Sequence, residues 1–241
     1  MRFTALLMSI FSLTHTTTAL PNAAAGPSLS PILEGYQNGV LTFRGSVRGE
    51  EFSLDGSIQE VHAQLQDRYP DLTFPSPDLE PPTFDPPEPE EFQKRQIISG
   101  DSGHLIYGAD TLLCMPITGW DWQPVSWATV ASAQAHLESS AYWEPNNEIG
   151  FQDFSAPPNT CASVYCHKAS PRGGDTVGIF MCNSDDTVNS QGYNTIGNAT
   201  YDMMKLCTTR DKNGAPDLTG GQEFFNWYGV FNIIVRKVDS C

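Results

Sequence analysis

The sequence predicts an α+β fold, a βαββαβ split sandwich in which two helices lie on a four-stranded antiparallel sheet stapled by disulfides. Three observations predict it. The six cysteines, Cys114, Cys161, Cys166, Cys182, Cys207 and Cys241, all fall in the last 130 residues of a 241-residue chain. Strand-like and helix-like stretches alternate through residues 96–241. Each helix-like stretch carries apolar residues at intervals of three or four, the spacing that lines one helix face.

The elements of residues 96–241 follow in order. Residues 104–115 read as the first strand. Pro124 opens the first helix, in which Val125, Trp127, Val130, Ala133 and Leu137 recur near helical spacing. Residues 161–167 form a short strand. Residues 176–182, with Val177, Ile179 and Phe180, form another, which Asn183-Ser184-Asp185-Asp186 breaks. The second helix covers residues 195–208, with Ile196, Ala199, Met203 and Leu206 along one side. After Gly220-Gly221, residues 223–238 supply a last strand region dense in sheet formers.

Upstream, the sequence divides differently. Met1-Arg2, the apolar run 6–13 and the small residues Thr17-Thr18-Ala19 have the layout of a signal peptide over residues 1–19. The apolar run is too short to cross a bilayer. Residues 20–95 read as an acidic pro-segment. Its first part, 20–69, holds a small ββα unit: residues 41–47 alternate like a strand, residues 51–54 pair back across Arg48-Gly49, and Ser57 starts a helix with apolar face Ile58, Val61 and Leu65. Ser57 and Glu60 stand at capping-box spacing. A unit this small buries little surface by itself, so it leans on the following domain or folds only in part. Residues 70–95 are a Pro-rich, acidic linker, the composition of an extended and solvated chain. The linker ends at Lys94-Arg95, where a dibasic-specific processing protease is the expected partner and Gln96 the expected new amino terminus.

In the oxidising secretory pathway six cysteines predict three disulfides. Fifteen connectivities are open to them, and spacing does not choose. A metal centre is not expected, because Cys161, Cys166 and His167 lack a second ligand pair. No cofactor motif is present. The formal charge is −15, with 13 acids against 6 bases in residues 1–95 and 15 against 7 in residues 96–241. Such a chain has no basic patch for nucleic acid or for anionic lipid. Neither a nucleic-acid partner nor a membrane anchor is expected.

The candidate chemistry is sparse. Gly100-Asp101-Ser102-Gly103-His104 differs from the nucleophile elbow in ending on His104, and reads as a polar lead-in to the first strand. His104, His136 and His167 are the titratable groups suited to general acid–base work near neutrality. Spacing does not bring them together. Acid pairs such as Asp185-Asp186, and Glu144 with Glu148, read as turn and surface residues. Five tryptophans, Trp120, Trp122, Trp127, Trp143 and Trp227, favour core and rim packing. Trp120 and Trp122, in a Gly- and Pro-bounded loop, form the candidate binding surface. Asn198-Ala199-Thr200 is an N-glycosylation sequon, which requires Asn198 to face solvent.

Several motifs together resemble small secreted cysteine-rich fungal proteins: Gly119-Trp120 after Cys114, the run 158–166 ending in Tyr165-Cys166, Ile179-Phe180-Met181-Cys182-Asn183, Gly221-Gln222-Glu223-Phe224, and Asn232-Ile233-Ile234-Val235-Arg236 before Cys241. Residues 190–194 depart from the pattern in lacking a cysteine. The resemblance implies a candidate effector, acting outside the cell on a host or microbial target, and some such proteins resemble killer toxins with βαββαβ order. It implies no catalytic residue. The expectation is a secreted, non-enzymatic effector or toxin-like binding protein released by cleavage after Arg95. The alternative is a secreted, ribonuclease-like hydrolase held inactive by its pro-segment, with His104, His136 or His167 as acid or base.

Overall fold

The structure, a computed structural model, describes residues 36–74, 97–99, 105, 109–117, 119–141, 149–168, 175–209, 217–226 and 230–241. The expected signal peptide, the Pro-rich linker from residue 75 onward, Lys94-Arg95, His104, Trp143 and Trp227 lie outside them.

The N-terminal elements are β1 (Gln37–Asn38), β2 (Thr42–Val47), β3 (Glu50–Asp55) and α1 (Ile58–Arg68). Strands β2 and β3 form the expected hairpin. Arg48 and Gly49 both take positive φ, 51° and 85°, as a tight two-residue turn between twisted strands requires. The expected capping box is also in place. The Ser57 side chain accepts from the Glu60 backbone N–H, and the Ser57 backbone N–H donates to Glu60 Oε2 at 2.7 Å. Ile58, Val61, His62 and Leu65 are the buried face of α1.

The elements that follow are β4 (Ile97–Ser99), β5 (Ala109–Cys114), β6 (Val125–Ser126), α2 (Trp127–Ala141), β7 (Ile149–Ala156), β8 (Thr160–Lys168) and β9 (Thr176–Asn183). The chain continues with β10 (Asn189–Gly192), α3 (Asn194–Leu206), β11 (Leu218–Thr219), β12 (Gly221–Phe225) and β13 (Phe231–Val238). Among the described residues they build a mixed α+β molecule with three helices and three sheets. The largest sheet has seven strands in the order β1-β8-β9-β13-β12-β5-β4, antiparallel except where β1 joins β8. A second sheet runs β10-β7-β2-β3, and a short one pairs β11 with β6. Helices α2 and α3 pack on each other and on the large sheet, α2 over β8 and β9, α3 over β13, β12 and β5.

The four-stranded βαββαβ expectation is therefore corrected. Its elements are present, but the sheet they enter has seven strands. The region read as one last strand is a hairpin, β12 against β13 with Phe225 opposite Phe231. Val125 and Ser126 pair with Thr219 and Leu218, so the helix starts at Trp127. Strands β7 and β10 were not expected at all, and they create the second sheet.

That second sheet changes the standing of the ββα unit. Strand β2 is central in it, paired with β3 on one side and with β7 on the other from Thr42↔Ser155 to Val47↔Ile149. Leu41, Phe43, Val47, Phe52, Leu54, Ile58, Val61 and Leu65 belong to the same buried cluster as Leu112, Val130, Phe154, Met203 and Ile233. Gly45 marks how closely the strands approach: a Cβ there would stand 2.2 Å from the Gly150 carbonyl oxygen.

The cysteines pair as Cys114–Cys207, Cys161–Cys182 and Cys166–Cys241, fulfilling the expected three disulfides. Cys161 and Cys182 stand directly opposite in the β8–β9 register. Cys114–Cys207 ties β5 to the end of α3, and Cys166–Cys241 ties β8 to the chain end. All three lie within residues 114–241, so none reaches the ββα unit.

Candidate functional site

The ββα unit meets the rest of the molecule along a seam. Its backbone is joined there by the β2–β7 ladder and by Gly39 N–H donating to the Cys161 carbonyl at 2.8 Å. Aromatic rings fill the space behind the ladder. Phe43 lies 5.9 Å from Phe154 and 6.2 Å from Tyr193, centroid to centroid, and Phe52 lies 5.5 Å from Phe151. At the rim, Arg44 Nε pairs with Asp153 Oδ1 at 3.1 Å and its guanidinium donates to Ser190. Gln59 of α1 donates to the Cys166 carbonyl.

Under α1 the seam holds three histidines and a tyrosine in a line of ring contacts. His62 lies 5.7 Å from His136 of α2, His136 stacks on Tyr165 of β8 at 5.0 Å, and Tyr165 stacks on His167 at 6.3 Å. Helical placement puts His62 one turn from Ile58 and Leu65, on the face that packs inward. Strand alternation puts Tyr165 and His167 on one face of β8. Phe74 stacks on His62 at 4.4 Å, and Phe151 stands 5.6 Å away. His62 is 9% exposed, and its Nε2 has no hydrogen-bond partner among the described residues. Loss of hydration, and then the charge of His136, hold the His62 imidazole far below its ordinary range, at about 3. His62 is thus neutral when the seam is closed.

The structure brings His136 and His167 both into ring contact with Tyr165, and both are buried. His62 joins them although sequence reasoning passed it over. The signal available was its position one residue after Val61 on the apolar face of a capped helix. Among the described residues, no three or more His, Cys, Asp or Glu side chains gather as a metal would need.

A second buried pair lies between the large sheet and α3. Glu223 of β12 is 0% exposed and Asp202 of α3 is 3% exposed. No donor among the described residues reaches either Glu223 oxygen apart from the Asp202 carboxyl. Two carboxyls bond each other only when one keeps its proton. Burial first, then the Asp202 charge and the bond to Asp202, push Glu223 up to about 10.

The candidate binding surface divides. Trp120 reaches the surface, 36% exposed, whereas Trp122 is buried at 5%. The Arg236 guanidinium lies over the Trp122 ring at 5.5 Å and over Phe180 at 5.3 Å, closing a small cluster with Met115, Cys161, Cys182 and Ile234. Burial lowers the Arg236 pKa, against the pull of Asp121 and Asp239. Trp122 is a cover for one sheet face, and Trp120 alone is offered outward. Asn198 is on the solvent side of α3, as the sequon requires. Among the described residues no helix is long and apolar enough to cross a membrane.

Comparison with known proteins gave no matching family model, curated protein or solved structure.

Proposed function

We propose that the chain is a secreted, non-enzymatic binding protein of the effector or toxin-like kind, made as a precursor and cut after Lys94-Arg95, with the ββα unit masking its binding surface. The observation that supports this reading is the arrangement of the seam. Three disulfides brace residues 114–241, while the ββα unit, with no disulfide to it, occupies an edge of β7 and the aromatic bed beside it. Removal of that unit leaves β7 with an unpaired edge from Ile149 to Ser155, beside the rings of Phe151, Phe154 and Tyr193. An open edge beside apolar pockets binds an extended segment of another protein by strand addition. Extracellular host or microbial proteins are the targets of this reading.

Intact mass and amino-terminal mapping of the protein secreted from a fungal host test it. A chain beginning at Gln96 that gains about six daltons on reduction, two hydrogens per bridge, supports the precursor reading. Residues 20–95 still covalently attached, or free thiols, overturn it.

The hydrolase reading is favoured by one observation, the His136–Tyr165–His167 contact beneath α1. RNA incubated with cut protein from which the ββα unit has been removed tests it. Turnover abolished by H136A and H167A supports it, and absence of turnover ends it.

A further inference from the structure

We propose that the seam between residues 36–74 and the rest of the molecule is a noncovalent subunit interface that outlasts cleavage of the chain and is loosened by acid, with His62 against His136 as its sensor. This rests on the reading of Lys94-Arg95 as a scission point.

The first half of the proposal follows from what the seam contains. A segment that only shielded the surface would sit on a finished core. Here Leu41, Phe43, Ile58, Val61 and Leu65 are wholly buried, and β2 is an inner strand of its sheet. Burial of large apolar side chains is the main favourable term in association, and an inner strand adds a continuous main-chain ladder. Cutting after residue 95 removes none of these contacts. The occupant of the site is therefore the chain's own ββα unit.

The second half follows from what faces His62. Its neighbours are His136 from α2, with Tyr165 and His167 of β8 behind it, Phe151 from β7, and Phe74 from the stretch after α1. The nearest described acid of β7, Asp153, is paired with Arg44. On α1 itself Glu60 is engaged by the Ser57 cap, while Asp67 and Arg68 are on the exposed side. A proton on His62 therefore enters an aromatic, poorly hydrated place with another imidazole opposite. In the separated unit the same ring is in water and accepts a proton at its ordinary pKa. Folded and free values of about 3 and 6.5 make binding weaken as pH falls below 6.5. Between pH 7.5 and pH 5 linkage gives about thirtyfold weaker binding.

The test uses the full secreted chain with a thrombin site placed at residues 90–95, so that its outcome does not depend on whether the dibasic pair is used in the cell. The folded protein is cut at pH 7.5, with its N-terminal piece labelled at the amino terminus, and dissociation is followed by anisotropy on dilution. The expected result is a complex that persists at pH 7.5, a Kd about thirtyfold higher at pH 5, and less than a threefold change in H62F, whose ring keeps the stacking and takes no proton. Separation at pH 7.5, a wild-type change under threefold, or an H62F response equal to wild type each overturns the proposal. If H62F is not secreted, hydrogen exchange of the uncut wild type decides. Protection of β2 amides, corrected for intrinsic rate, must fall at least about tenfold relative to β9 between the two pH values, and an equal change in both strands overturns the proposal. Failure of Lys94-Arg95 to be cut in the cell is read separately, by intact mass.

Discussion

His62 and His136 face each other at 5.7 Å across the joint between the N-terminal ββα unit and the C-terminal, disulfide-braced part of the chain. The two residues are 74 positions apart in sequence and sit on different helices, α1 and α2. Burial at that contact, and then the charge of His136, hold the His62 pKa low. Neutral His62 is what the closed joint accommodates, so the folded state disfavours its proton.

Stability is expected to form a plateau in mildly acidic solution. His62 has a depressed folded pKa, about 3 against 6.5, so its contribution is complete above pH 6.5 and is lost as pH falls toward 3. Glu223 has a raised folded pKa, about 10 against 4.5, so its contribution is complete below pH 4.5 and is lost as pH rises toward 10. Between pH 4.5 and 6.5 the two slopes, each up to about 1.4 kcal/mol per pH unit, oppose one another. Thermal unfolding from pH 3 to pH 9 checks this: Tm is highest across that interval and falls on both sides.

E223Q separates the alkaline limb from the acid one. Glutamine has the shape of the protonated acid, offers an amide donor to the Asp202 carboxylate, and does not titrate. Its folded state therefore takes no penalty as pH rises. At pH 8 the variant is expected to be more stable than wild type by at least about 2 kcal/mol, and near parity at pH 4. Urea unfolding at the two pH values measures the difference. Equal stability at pH 8 contradicts the pairing with Asp202.

F43A tests whether the two sheets share one core. Phe43 is wholly buried among Phe154, Phe151 and Tyr193, all from beyond residue 95. Truncation leaves a cavity that the surrounding rings fill only in part, at about 3–5 kcal/mol. Because that cavity straddles the joint, the uncut protein is expected to lose stability as a unit. Far-UV circular dichroism and tryptophan fluorescence, whose reporters all follow residue 95, should shift together. A stable fluorescence transition beside a lost ββα signal would show two independent cores.

Much of the local structure was legible, and particular residues show why. Ser57 and Glu60 announce the start of α1, Arg48-Gly49 announces the hairpin, and Ile196, Ala199 and Met203 announce α3, because caps, turns and helical periodicity act over a few residues. Strand β7 was hidden. Its sequence, Ile149 to Ala156, has Gly150, Gln152 and Asp153 among its apolar residues and a register shift opposite Arg44 and Gly45, which blurs the alternation that marks a strand. Without β7 there was no second sheet for β2 to enter, and the ββα unit read as one that leans on the following domain or folds only in part. The site was hidden for the same reason. His136 and His167 were visible as single residues, but their association through Tyr165, and the cover given by His62, depend on long-range packing that spacing does not encode.

The three disulfides are expected to differ in what they contribute, in the order of the loops they close. Cys114–Cys207 spans 93 positions, Cys166–Cys241 spans 75 and Cys161–Cys182 spans 21. A crosslink restricts the unfolded chain more when its loop is longer, and the dependence is logarithmic. Replacing Cys114 and Cys207 with alanine should therefore cost about 1 kcal/mol more than replacing Cys161 and Cys182, within an overall range of about 2–5 kcal/mol. Urea midpoints of the paired-alanine variants at pH 5.5, where His62 and Glu223 offset each other, give the comparison. The contrast also tests the short bridge on its own terms. Cys161 and Cys182 already face each other in the β8–β9 ladder, with main-chain pairs on both sides, so the folded sheet holds them together with or without the bond. A larger loss from the short bridge than from the long one would mean that it acts on the folded state, through the packing of Met115, Phe180 and Ile234 around it, and not chiefly through the unfolded chain.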